Sequence, residues 1–143
     1  MKYIRIVFFA LLLPSLSSCV KDVVDEGVKP SFLPHFIYGG YTYYIHPSSM
    51  DKMCWAKAEE ACNELESFGY DDWFMPSQSE IEQAHSAGFD WVVGWSSTSW
   101  GTYHGDESEW TAHWACYYSD DECRWGPYRD DMYLLVVFPM RKQ

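Results

Sequence analysis

The chain has 143 residues and a formal charge of −11, with 21 acidic residues against 10 basic ones. An acidic surface of this kind repels phosphate backbones and has no basic stripe to offset the repulsion. Nucleic acid is therefore set aside as a partner, as is broad electrostatic docking on anionic polysaccharide. Aromatic residues make up 19% of the chain, which is bulky core material for a domain with little regular structure and also suits sugar or protein recognition.

Lys2 and Arg5 form a short basic region, and Ile4 with residues 6–13 gives an apolar stretch ending at Pro14. That stretch is about half the roughly 20 residues a helix needs to cross a bilayer, so it reads as an export signal and not a permanent span. Leu16-Ser17-Ser18-Cys19 follows and resembles the bacterial lipobox. The expectation is a signal peptide over 1–18, removed to leave a lipid-modified Cys19. The alternative is ordinary secretory cleavage near Ser18, with Cys19 as a spare thiol. Several acyl chains anchor stably, each buried CH₂ contributing about 0.8 kcal/mol. The expected location is the bacterial cell envelope, at the outer membrane, with contact to lipid only through the anchor. Losing 1–18 removes Lys2 and Arg5 and no acid, so the formal charge moves from −11 to −13. Residues 19–35 read as a charged tether ended by Pro30 and Pro34, and 36–143 as one small domain.

Within that domain, residues 36–45 are aromatic and β-branched around Gly39-Gly40, a strand or hairpin. Pro47-Ser48-Ser49 breaks it and offers a helix N-cap. Residues 51–68 have helical periodicity: Cys54, Ala58, Ala61, Cys62 and Leu65 share one face, and Gly69 is placed to stop the helix. Ser77-Gln78-Ser79-Glu80 has the S-x-x-E form of a capping box, so a second helix starts near Ser77 and ends at Gly88. Beyond Phe89 the helical period disappears. Aromatic runs at 91–97, 110–118 and 132–138 read as strands of a small twisted antiparallel sheet joined by long loops. The expected class is α+β, with two helices on that sheet.

Several of these pieces form an ordered pattern. Trp55-x-x-Ala58-x-x-x-Cys62-x-x-Leu65 is followed by Gly69-Tyr70-x-Asp72-Trp73-x-Met75-Pro76-Ser77-x-x-Glu80, and later by Gly94-Trp95-Ser96-Ser97-Thr98. Across residues 38–141 this resembles the Lcl C-terminal-like domain, a bacterial C-type-lectin-like module with the pattern W-x-x-A-x-x-x-C, G-Y-x-D-W-R-L-P-T-x-x-E-L and Y-W-S-S-T. The resemblance implies a C-type-lectin-like scaffold used for adhesion or recognition, in some relatives of glycans; a scaffold by itself names no ligand. This chain has Phe74-Met75 where the family has Arg-Leu. It has Leu134-Leu135-Val136-Val137 where the family often carries the cysteine that pairs with its helix cysteine, so its disulfide arrangement must differ.

Four cysteines remain after Cys19: Cys54, Cys62, Cys116 and Cys123. An oxidising compartment makes two disulfides the leading reading. If one helix holds both Cys54 and Cys62, their Cα atoms lie about 12 Å apart at roughly 1.5 Å per residue, beyond the roughly 4.4–6.8 Å a disulfide spans. Each would then reach Cys116 or Cys123, and this cross-linking is slightly preferred. Local pairing of Cys116 with Cys123 across a turn is the alternative. The spacings are not those of a four-cysteine zinc site.

Three groups of candidate site residues stand out. The first is an aromatic and polar surface of Trp100, Tyr103, His104, Trp110, Trp125, Tyr128 and Arg129, on which a sugar or protein could stack; some of these must be core. The second is acidic loop residues, including Asp106, Glu107, Asp120, Asp121, Asp130 and Asp131, as oxygen ligands for Ca²⁺. Solvated loop charge is the plainer reading of these, since the E-P-N, Q-P-D and W-N-D motifs of calcium-dependent lectins are missing. The third is His104 and His113, near carboxylates. No H-E-x-x-H, G-x-S-x-G or phosphate-loop motif occurs. The expected function is thus a non-enzymatic, cofactor-free, lipid-anchored module binding a glycan or surface protein. A structural subunit of an envelope or appendage complex is the alternative, and a hydrolase the weakest reading.

Overall fold

The computed structural model describes residues 32–105, 108–119 and 122–143. The expected signal peptide, Cys19 and the tether up to residue 31 lie outside these residues, as do Asp106, Glu107, Asp120 and Asp121. Among the described residues the chain is mixed α+β. Two helices pack against three small antiparallel sheets, in place of the single sheet expected. No described helix is long and apolar enough to cross a membrane.

Strands β1 (His35–Tyr38) and β2 (Tyr41–Ile45) form the expected hairpin. Gly39 and Gly40 both have positive φ, 59° and 85°, as a two-residue turn matched to strand twist requires. Strand β3 (Met50–Met53) then pairs with β7 (Leu135–Val137), while β8 (Met140–Lys142) returns to β2. The chain changes sheet at Pro47 and again at Pro139, where His46 N–H donates to the Pro139 carbonyl at 2.9 Å. Leu33 is buried with Tyr44 and Trp73, so packing begins before residue 36.

Helix α1 runs Trp55–Asn63 with Cys54 as its N-cap, shorter than the periodicity over 51–68 implies. Residues 50–53 are taken by the long-range pairing with β7, a tertiary contact that overrides local pattern. Gly69 does not stop this helix. Phe68 (φ 56°) and Gly69 (φ 78°) form a separate tight turn, closed by reciprocal Ser67–Tyr70 backbone bonds of 2.9 and 3.0 Å. Helix α2 (Gln78–Ser86) begins with the expected capping box on Ser77 and Glu80. It ends at Gly88 (φ 94°), where Gly88 N–H reaches His85 O and Phe89 N–H reaches Ala84 O, a Schellman stop.

The third sheet is the centre of the molecule: β4 (Gly94–His104), β5 (Glu109–Ser119) and β6 (Glu122–Arg129), with β5 in the middle. Side chains alternate across it. Ala115 faces a core with Ala58, Cys62, Met75, Trp95 and Val137. Cys116 faces a second core with Phe36, Ile81, Ala84, Val92 and Met140. Strand β4 passes so close to β7 that a Cβ on Gly94 would collide with the Val136 carbonyl oxygen.

The alternation along β5 explains the cysteines. Cys116 pairs with Cys123, while Cys54 and Cys62 are free thiols. The preferred cross-linking of helix to hairpin, and the second disulfide with it, are therefore corrected: Cys62 and Cys116 face opposite sides of β5. Residues of the ordered sequence pattern instead build this interior. Trp95 Nε1 donates to Met53 O at 2.8 Å, Trp55 Nε1 to Ser96 O at 2.9 Å and Ser96 Oγ to Trp114 O at 2.7 Å. Asp72 receives both arms of the buried Arg141 guanidinium, at 2.7 and 2.9 Å.

Candidate functional site

Strands β4 and β5 extend beyond both cores, and their far ends carry an aromatic surface. Register places Tyr103 directly opposite Trp110, so the two side chains share a face. Their rings stack with centroids 5.1 Å apart and planes 20° apart. Trp100 reaches the same ring from an irregularity in β4: the register advances from Ser99 to Gly101 while β5 moves one residue, from His113 to Ala112. A bulge of this type re-aims the extra side chain. Trp100 stacks on Trp110 at 6.1 Å and 9°. Trp100 and Tyr103 remain 45% and 47% exposed, which leaves ring faces in solvent.

From β6, the Arg129 guanidinium lies 5.8 Å from the Trp110 centroid. It is held there by two bonds to the Asp131 carboxylate, of 2.7 and 2.9 Å. That contact lowers the Asp131 pKa below the usual carboxylate range and raises that of Arg129. Trp110 separates two open hollows. One is lined by Glu109, Thr111, Asp130 and Asp131; the other by Pro127, Arg129, Met132 and Tyr133. Met132, which lines the second, is exposed, as is Leu134.

A polar support lies under the first hollow. The Asp130 carboxylate accepts from Thr111 Oγ1 at 2.7 Å and from His113 Nδ1 at 2.8 Å. An ionised carboxylate only accepts, so Nδ1 carries the proton. The His113 ring stacks flat on Trp55, 3.7 Å between centroids. The Asp130 carbonyl accepts from the Trp55 amide at 3.3 Å, which ties the start of α1 to the rim of the surface.

The structure thus gathers Trp100, Tyr103, Trp110 and Arg129, with Asp130 and Asp131 lining the hollow beside them, and leaves His104, Trp125 and Tyr128 out of the stack. His104 lies exposed at the end of β4, with Nδ1 3.6 Å from a Glu109 oxygen. Trp125 sits opposite Cys116 and packs against the α2 core. Tyr128 faces the other core, edge-on to Trp95, Tyr117 and Tyr133, and supports the surface from below. The Asp130 carboxylate is engaged by Thr111 and His113, and that of Asp131 by Arg129. Thr111, Met132 and Tyr133 escaped the sequence reading. The continuous apolar run from Met132 reads as one strand, whereas β7 starts only at Leu135; the preceding Asp130-Asp131 is the cue that a turn comes first.

Chemically, the arrangement can stack against the apolar face of a ring, with hydroxyl, guanidinium and carboxylate groups at its edge. Comparison with known protein families, with curated proteins and with solved structures finds no match.

Proposed function

We propose that this chain is a lipid-anchored extracytoplasmic binding module that recognises a glycan through the surface centred on Trp110. The observation that carries this reading is the half-exposed stack of Trp100, Trp110 and Tyr103, flanked by Arg129, Thr111 and Glu109. Pyranose rings present apolar C–H faces and a belt of hydroxyls. Aromatic planes take the first and charged or hydroxyl side chains the second. The role is binding, without catalysis or a cofactor, at the bacterial outer membrane.

The scaffold belongs with C-type-lectin-like domains in this proposal. In support, the residues that carry the resemblance do the structural work such a pattern implies. Ala58 and Cys62 are buried, Trp73 and Trp95 are core, Ser77 and Glu80 cap α2, and Asp72 holds Arg141. A second reading, a protein partner in an envelope or appendage complex, is favoured by Met132, Tyr133 and Leu134, exposed at 63%, 45% and 60%. A glycan array probed with the folded, oxidised chain, alongside a pull-down from cell-surface protein, separates the two. Glycan signal with no stoichiometric partner supports the first reading. A one-to-one protein partner with a blank array supports the second, and blanks in both sink both.

A further inference from the structure

The Cys116–Cys123 pair does not stand alone. His85, in the last turn of α2, places a ring nitrogen such that its ligand atom and the two sulfurs all lie within 4.8 Å of one another. We propose that, in the dithiol state, Cys116, Cys123 and His85 form a site for a thiophilic divalent cation, zinc foremost, and that the disulfide state closes it.

The geometry suits such a site. Cys116 lies opposite Trp125, and Cys123 opposite Tyr118. The two cysteines therefore project from adjacent strands onto one face of the sheet, with Cα atoms 6.3 Å apart. Tetrahedral zinc, with Zn–S near 2.3 Å, needs two sulfurs about 3.8 Å apart, a separation that side-chain rotation reaches from this backbone spacing. His85 Nε2 lies 2.6 Å from the Val92 carbonyl oxygen. With Nε2–H donating there, Nδ1 keeps a free lone pair. A metal-ligating histidine is commonly fixed by its second nitrogen in this manner.

Charge favours the same assignment. The site borders the core of Ile81, Ala84 and Val92. Two thiolates and a neutral imidazole cancel a 2+ ion, so no net charge enters apolar surroundings. Thiolate and imidazole donors together select zinc over calcium or magnesium. His85 and Cys123 are only half-buried, which gives the ion an entry path, and three protein donors leave a fourth position for water.

The steps balance with a dithiol reductant. It gives two electrons and two protons to the S–S bond and becomes a disulfide itself, leaving two thiols. Metal binding then releases those two protons to solvent. This site is separate from the Trp110 surface, and its failure would leave the binding proposal untouched.

The test is cobalt titration of the purified chain, reduced and oxidised, followed by displacement with zinc. The reduced chain is expected to bind one Co²⁺ with a sulfur-to-cobalt charge-transfer band in the near ultraviolet, and the oxidised chain to show no such band. His85→Gln is expected to weaken binding at least about 100-fold, and Cys123→Ser to diminish the band. Removing a cysteine can unfold a domain, so the redox comparison and His85→Gln carry the test, with circular dichroism confirming the fold. A reduced chain that unfolds or binds no cobalt would overturn the proposal. So would equal uptake in both redox states, or a His85→Gln variant that binds like the parent, which would place the metal on Cys54 or another thiol.

Discussion

Replacing Asp72 by Asn keeps the shape of the side chain and removes its charge from the guanidinium of Arg141. Arg141 has 8% of its side chain exposed, while Asp72 has 48%. Breaking an ion pair that is dry at both ends costs about 3–5 kcal/mol. Here water reaches the carboxylate end and screens the loss. Arg141 also keeps its position over the Tyr70 ring at 3.6 Å, and Asn retains one acceptor. The expected loss at pH 7 is about 2 kcal/mol, read as a lower urea midpoint at unchanged slope in tryptophan fluorescence. The hydrogen bond from Arg141, and then its charge, lower the Asp72 pKa below the ordinary value. A depressed folded-state pKa contributes stability that is complete above the unfolded value, about 3.9, and is lost as pH falls through the folded value. The gap between parent and Asp72→Asn should therefore hold constant from about pH 5 to 8 and shrink below about pH 4. A loss under about 0.5 kcal/mol at pH 7, or a gap that widens on acidification, would refute this account of how the last strand is held.

Two further outcomes are expected. Ser77→Ala removes the oxygen that accepts from the Glu80 amide and leaves Ser77 N–H to the Glu80 carboxylate alone; stability should fall by about 1 kcal/mol, and an unchanged thermal midpoint would count against the capping box. Cys62 is fully buried, with its thiol pKa pushed up to about 12 by desolvation and by the Glu59 charge. Iodoacetamide at pH 8 should thus label the partly exposed Cys54 at least about a hundredfold faster, and equal labelling by peptide mapping would show that Cys62 is not in the core.

Features with local causes were legible in the sequence. The capping box on Ser77, the stop at Gly88 and the Gly39-Gly40 hairpin each depend on a few neighbouring residues, and each appears where expected. Features set by distant partners were not. Residues 51–53 look helical until β7 claims them from more than 80 residues away. Strand β6 falls in none of the three expected strand runs; its Gly126-Pro127 is tolerated because, among the described residues, β6 pairs on one side only and is an edge strand. The same limit governs the site. Trp100, Tyr103, Trp110, Trp125 and Tyr128 are equivalent as letters, and only the register of three strands turns the first three outward and the others into the cores. The cysteine pairing follows from that same alternation along β5.

The most direct test of the binding account is Trp110→Ala, probed on one glycan array beside the parent chain, with thermal melts of both. Trp110 is only half-buried and lies beyond both cores, so the variant should melt within a few degrees of the parent. Binding to whichever array glycans the parent recognises should fall at least about tenfold, roughly 1.4 kcal/mol. Undiminished binding by folded Trp110→Ala would contradict the account.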